Sequence, residues 1–204
     1  MHLVPTQDEV LDLLRRTGGL REGHFEYPSG LHTREYLQVP LSMRHFETAK
    51  ILSVGLSRLL RAHADIRAVI PELSIVTAAS GGMPVAYGVC EALRANQVYW
   101  AERANDSEPL AFREFMELKR GEKVVLVDDL HRSGKRLTEL KKLVEDHGGD
   151  VIAIAVVVHQ PLPDVLTFGD LPFYQLATLN SKFSPSGASC EQCVKGVPVT
   201  KVRI

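Results

Sequence analysis

The segment VVLVDDLHRSGK, residues 124–135, sets two adjacent carboxylates, Asp128 and Asp129, directly after four apolar, mostly β-branched residues. Such a run reads as a strand buried on both faces of a parallel sheet, so the acids stand at its carboxyl end. Neighbouring carboxylates in a partly desolvated place repel each other unless a cation or hydroxyl groups compensate them. Ribose hydroxyls, met directly or through magnesium, would do so. Arg132, Ser133, Gly134, Lys135 and Arg136 follow at the start of a helix, where free backbone N–H groups, a hydroxyl and positive charge suit a phosphate. The plainer reading, acids that only cap a helix and solvate a strand end, accounts less well for the strand before them.

A second anion-binding candidate is the turn in TAASGGMP, residues 77–84, where Ala79, Ser80, Gly81 and Gly82 are small enough for the backbone to come close to a ligand. Tyr27 and Tyr36 are candidates for an aromatic wall beside a base, whereas Phe25 reads as packing. His24 and His32 flank a turn and read as surface or interface residues. Cys190 and Cys193 form a single CxxC pair, half of a zinc ligand set unless a histidine or a partner copy completes it, and read as a structural turn.

The elements that must position these residues alternate. Residues 6–16 form an amphipathic helix capped at Thr6 or Asp8 and ended by Gly18-Gly19. Residues 23–38 read as short strands and turns, and Met43 to His63 as a second helix. Ile66–Ile70 and Leu73–Val76 are short apolar runs, the latter a strand leading into the small turn and a helix at 85–95. A strand at 98–101, a polar loop, the strand ending in the acids, a helix around Leu137–Val144 and a strand at 150–160 follow. Alternating strands and helices give an α/β fold, a mostly parallel sheet flanked by helices, with ligands beyond the carboxyl ends of its strands. The tail after Gln160, rich in Pro, Gly and Ser, reads as irregular.

The chain has 204 residues, enough for one domain. Its formal net charge of -1 supplies no broad basic field for nucleic acid. The acids and prolines at its start and the lack of a long apolar run argue against secretion or a membrane span, and three cysteines agree with a reducing cytoplasm.

The 124–136 segment resembles the ribose-phosphate motif of type I phosphoribosyltransferases. GHFEYPSGLHTREYLQ, IVTAASGGMPVAYGVCEAL, AER at 101–103 and CEQCVKGVPVTK resemble stretches of the orotate branch of that family, in its order. The resemblance implies one domain over 1–204, with an α/β core at 43–160 and a small hood and extensions formed by 1–42 and 161–204. It also implies a homodimer that uses 5-phosphoribosyl diphosphate and magnesium to convert a pyrimidine base, most nearly orotate, into its nucleotide. Asp128 and Asp129 would then hold the ribose and the metal, and Arg103 would neutralise the departing diphosphate. Ser80, Gly81 and Gly82, with Arg132 to Arg136, would bind the phosphates, and Tyr36, His159 and Gln160 would meet the base.

The sequence departs from the family at three places. The phosphate loop lacks one glycine and two hydroxyls, the polar loop keeps only Arg113 besides Arg103, and His159-Gln160 stand where an arginine would pair with the carboxylate of orotate. A fold kept as a nucleotide or phosphoribosyl diphosphate sensor, or a transferase for another base, are the rival expectations.

Overall fold

The computed structural model describes residues 4–105 and 107–202; residues 1–3, 106, 203 and 204, which belong to the expected start, polar loop and tail, lie outside them. The chain opens with α1 (Gln7–Arg16), the strands β1 (Leu20–Glu26) and β2 (Leu31–Leu37), then α2 (Val39–Met43), α3 (Phe46–Ala62) and α4 (Ala64–Val69). Next come β3 (Ser74–Ala78), α5 (Met83–Leu93), β4 (Gln97–Glu102), β5 (Ala111–Phe112), β6 (Lys123–His131), α6 (Lys135–Asp146) and β7 (Asp150–His159). The last elements are β8 (Phe173–Thr178), β9 (Ser184–Pro185), α7 (Glu191–Val194) and β10 (Thr200–Lys201).

Six strands form the main sheet in the order β5-β4-β3-β6-β7-β8, parallel except for the short edge strand β5. Val124 to Val127 and Ile154 to Val158 have no exposed surface. This double-sided burial is why these stretches carry apolar residues without alternation, each worth roughly 1.5–3 kcal/mol on removal from water. Leu52, Leu56 and Leu60 of α3 pack with Val85 and Val89 of α5 over one face, while Leu137, Leu140 and Val144 of α6 cover the other. Successive strands after β3 lie on one side, at β4, and after β6 on the other, at β7 and β8. The strand order therefore switches sides between the parallel neighbours β3 and β6, which opens a crevice at their carboxyl ends.

A separate four-stranded sheet, β10-β1-β2-β9, joins the two ends of the chain and forms the hood. The terminal segments do not lie wholly in this hood. β8 lies beyond residue 160 yet pairs with β7 from Ile154↔Phe173 to His159↔Thr178. α1 lies before residue 43 yet packs Val10, Leu11 and Leu14 into the main core, and Gln7 Oε1 accepts a hydrogen bond from the Thr178 amide at 3.0 Å. Its N-terminus carries a capping box between Thr6 and Glu9. The apolar run at 66–70 is helical in α4 and a 3₁₀ turn, since only Ile66 and Ile70 point inward. No helix among the described residues is long and apolar enough to cross a membrane.

Candidate active site

β3 and β6 bring the small-residue turn and the acid pair together at the crevice. β6 runs past the acids to His131, longer than the apolar run alone indicates. Asp128 has no exposed surface and Asp129 is 6% exposed. A Cβ on Gly81 would lie 3.2 Å from Asp129 Oδ1, and one on Gly82 would lie 2.1 Å from Thr77 Oγ1 and 2.8 Å from Asp128 Oδ1. The acids thus press against bare backbone, and at Gly82 only glycine permits that approach. The Ala79–Ser80 peptide is cis, and exposed Ser80 accepts the Met83 amide through its carbonyl.

Arg136 closes the other side of the pair. Its Nε donates to Asp128 Oδ2 at 3.0 Å and its Nη2 to Asp129 Oδ1 at 3.3 Å. Burial pushes the Asp128 carboxyl well above the usual carboxylate range; Arg136 opposes this, and the charge of Asp129 adds to it. The shift is upward because Asp128 is wholly enclosed and shares its cation with a second acid. The Asp129 amide donates to Asp128 Oδ1 at 2.9 Å. Arg136, expected to surround the 5-phosphate, turns its side chain back onto the acids.

The loop itself has the expected shape. Gly134 adopts φ +81° at the cap of α6, where a Cβ would meet the Leu166 carbonyl at 2.8 Å, so this glycine is required twice over. Ser133 Oγ accepts the Lys135 amide at 3.4 Å, and Lys135 is exposed. The first turn of α6 carries no acid, which leaves its positive dipole end unopposed.

Arg132 leaves the loop and faces the hood. Its guanidinium carbon sits 4.6 Å from the centroid of the Tyr27 ring, and its Nε donates to Gln160 Oε1 at 3.1 Å. Its Nη2 is buried without a protein partner. Gln160 is fully buried and donates to Ser181 Oγ at 2.7 Å. Gln160 is thereby a support for Arg132 rather than a group open to a base. Tyr36 packs on Phe25 and Tyr27, with ring centroids at 5.5 and 6.2 Å. His159 stacks on His131 at 4.9 Å, with Nδ1 atoms 2.9 Å apart. Burial lowers both histidines, His131 to about 4.

The Phosphoribosyl transferase domain model matches residues 61–164. The orotate phosphoribosyltransferase of Carboxydothermus hydrogenoformans is 34% identical over 95% of both chains. The chain belongs to the phosphoribosyltransferase family. The orotate phosphoribosyltransferase of Thermotoga maritima is 30% identical over 94% of this chain and 96% of that one. Among solved structures, the orotate phosphoribosyltransferase of Aeropyrum pernix shares the fold with a TM-score of 0.66 at 17% identity, covering 83% of this chain and 93% of its own.

In this phosphoribosyltransferase the family's magnesium is tested by the site itself. A bare-backbone cradle at Gly81 and Gly82, the unpartnered buried hydroxyl of Thr77 and an acid pair that meets it provide oxygen donors for a hard cation. The donor set fits, with Asp129 better exposed than Asp128. Arg103 is placed elsewhere: it pairs with Glu139 of α6 and donates to the Glu108 carbonyl, while Arg113 pairs with Glu102. Arg103, which the resemblance has neutralise the departing diphosphate, is thus held by Glu139 in this structure.

Two features escaped the sequence reading. The turn of Arg132 toward Tyr27 depends on a hood contact across more than a hundred residues, for which local spacing carries no signal. His24 and His32, expected at the surface or an interface, are each only 4% exposed and converge with Cys190 and Cys193.

Proposed function

We propose that the chain transfers phosphoribose from 5-phosphoribosyl diphosphate to a ring nitrogen of a pyrimidine base, with orotate as the substrate and orotidine 5-phosphate as the product. A nitrogen–carbon bond forms at the anomeric carbon as the bond to diphosphate breaks. The observation that carries this reading is the meeting of the acid pair with the Gly81-Gly82 turn at the reversal point of the sheet. Likeness to the orotate enzymes over nearly the whole chain supports it.

On this reading Asp129, backed by Asp128, orients the ribose hydroxyls. The amides of the α6 N-terminus and Ser133 hold the 5-phosphate, and the turn at 80–82 holds the diphosphate. Magnesium, held by Asp129 and Asp128, supplies positive charge to the diphosphate when bound. Lys135 adds charge at the loop, and Arg103 would have to leave Glu139 to reach the leaving group. The base lies between the Tyr36–Tyr27 wall and His159. Arg132 takes the place of the missing strand-end arginine, because its free Nη2 suits a base carboxylate. A homodimer and a cytoplasmic setting complete the reading. The exposed Phe46 and Tyr87, on the adjoining helices α3 and α5, are a surface that a second copy would cover, and light scattering on the purified chain tests this.

The Arg136 pairs favour a second reading, a binding protein with no turnover, because they occupy oxygens that the sugar would use. Diphosphate release measured with saturating donor, magnesium and a panel of orotate, uracil and adenine decides. Release with orotate, lost when Asp128→Asn and Asp129→Asn are combined in a chain that keeps its circular dichroism, is the expected result. Tight donor binding without release from any base identifies a sensor, and release with another base alone moves the substrate.

A further inference from the structure

The hood contains a cluster that the transfer chemistry does not use. His24 lies on β1 and His32 on β2, while Cys190 and Cys193 lie one turn apart at the start of α7. The candidate ligand atoms of all four lie within 4.8 Å of one another. Cys193 Sγ is 3.4 Å from His32 Nδ1 and 3.6 Å from His24 Nε2, and Cys190 Sγ is 3.6 Å from His24 Nε2. A tetrahedral ion with Zn–N of about 2.0–2.1 Å and Zn–S of about 2.3 Å sets sulfur–nitrogen edges of about 3.6 Å. The three edges agree with that figure. The two ring nitrogens stand 2.7 Å apart, so an ion would spread them by about half an ångström.

The groups behind the ligands point the same way. His24 Nδ1 lies 2.7 Å from the Val197 carbonyl, which can only accept, so the proton sits on Nδ1 and the Nε2 lone pair faces the cluster. His32 turns its Nε2 toward Glu26 Oε2 at 4.0 Å and its Nδ1 into the cluster. A carbonyl and a carboxylate behind imidazoles are the usual supports of metal-bound histidine. A β-bulge between Glu22 and Phe25 breaks the alternation of β1, so that His24 and Phe25 are both buried although adjacent. The bulge aims His24 at the cysteines while Phe25 joins the aromatic wall.

We propose that His24, His32, Cys190 and Cys193 form a closed, structural zinc site that fastens the C-terminal segment to the β1–β2 hairpin. Two thiolates and two imidazoles select zinc over magnesium, which takes oxygen ligands. The segment needs such a fastening. β9 and β10 have two residues each, and after residue 180 Cys190 is the only buried apolar side chain among the described residues. An ion there would do for the hood what a small core cannot. All four ligands come from one chain, so the site needs no partner copy.

The test uses the full chain, purified under reducing conditions without chelators. Elemental analysis is expected to find about one zinc per chain, falling to nearly none in Cys193→Ser and unchanged in Cys90→Ser and Asp129→Asn. Because Cys193→Ser could also lose metal by misfolding, cobalt is added to the zinc-stripped wild-type chain. Intense tetrahedral bands with thiolate charge transfer support the site. Absence of zinc together with a weak octahedral cobalt spectrum, a Cys190–Cys193 disulfide in the reduced protein, or iron bound in preference to zinc overturns it. The activity assay is separate, so failure here leaves the transferase reading standing.

Discussion

Arg136 Nε stands 3.0 Å from Asp128 Oδ2, so a cation of the protein itself occupies the acid pair that the fold holds out for a ligand. Two buried carboxylates in succession need a positive charge, and here the chain supplies it from the first turn of α6. Arg136→Ser removes that charge. Breaking a fully buried pair costs roughly 3–5 kcal/mol, and with Arg136 41% exposed we expect a loss of about 2 kcal/mol. The variant should gain more stability from added magnesium than wild type does, because Arg136 competes with the ion for the same oxygens. Thermal melts with and without the ion check this, and equal responses of the two proteins would show that Arg136 does not shield the pair.

Arg132 is expected to choose the base. Its Nη2 has no partner in the protein, and a charge-assisted hydrogen bond is worth about 1.5–3 kcal/mol, or roughly 10- to 150-fold in binding. Arg132→Met should raise KM for orotate by roughly that factor. KM for 5-phosphoribosyl diphosphate should stay near its original value, because the side chain faces Tyr27 and Gln160 rather than the loop. Arg132→Lys should rescue little, since lysine lacks the planar fork. Steady-state kinetics with each substrate varied in turn would expose an error in this placement.

Gly82→Ala should damage the turn without any backbone-angle penalty, since Gly82 has φ -75°. The added Cβ would stand 2.1 Å from Thr77 Oγ1 and 2.8 Å from Asp128 Oδ1. Overpacking of this kind costs about 1–3 kcal/mol, visible as a lower urea midpoint, and activity should fall below detection. A Gly82→Ala chain with wild-type turnover would separate the turn from the chemistry.

Acid should destabilise the fold through His131. Burial, with His159 adjacent, pushes it down to about 4, against about 6.5 in an unfolded chain. Between those values the unfolded state binds the extra proton, so stability falls as pH drops from about 6.5 to about 4 and is unaffected by this group above that window. His159 is lowered as well and acts in the same sense. His131→Leu should flatten the slope, as read from urea midpoints at pH 7.5 and 5; an unchanged slope would remove His131 as its source.

Residues 124–127 announced β6, and with it the acid pair, because a strand covered on both faces must be apolar throughout and that is a local property. Gly81, Gly82 and Gly134 were legible for a similar reason: tight approach and positive φ leave a mark on residue type at a single position. β8 was not legible, since FYQLAT is only partly buried and becomes a strand by pairing with β7. The directions taken by Arg132 and Arg136 were not legible either, because a long side chain beside two possible partners is steered by what surrounds it.

The α/β order, the acids at the end of a buried strand and the glycine turn opposite them follow from patterns within a few residues. Only the tertiary structure decided that Arg136 would sit on the acids, that Arg132 would face the hood, and that His24 and Cys190, 166 residues apart, would meet. Contacts of that range depend on how whole elements pack, and neither residue type nor spacing along the chain encodes which pairs will touch.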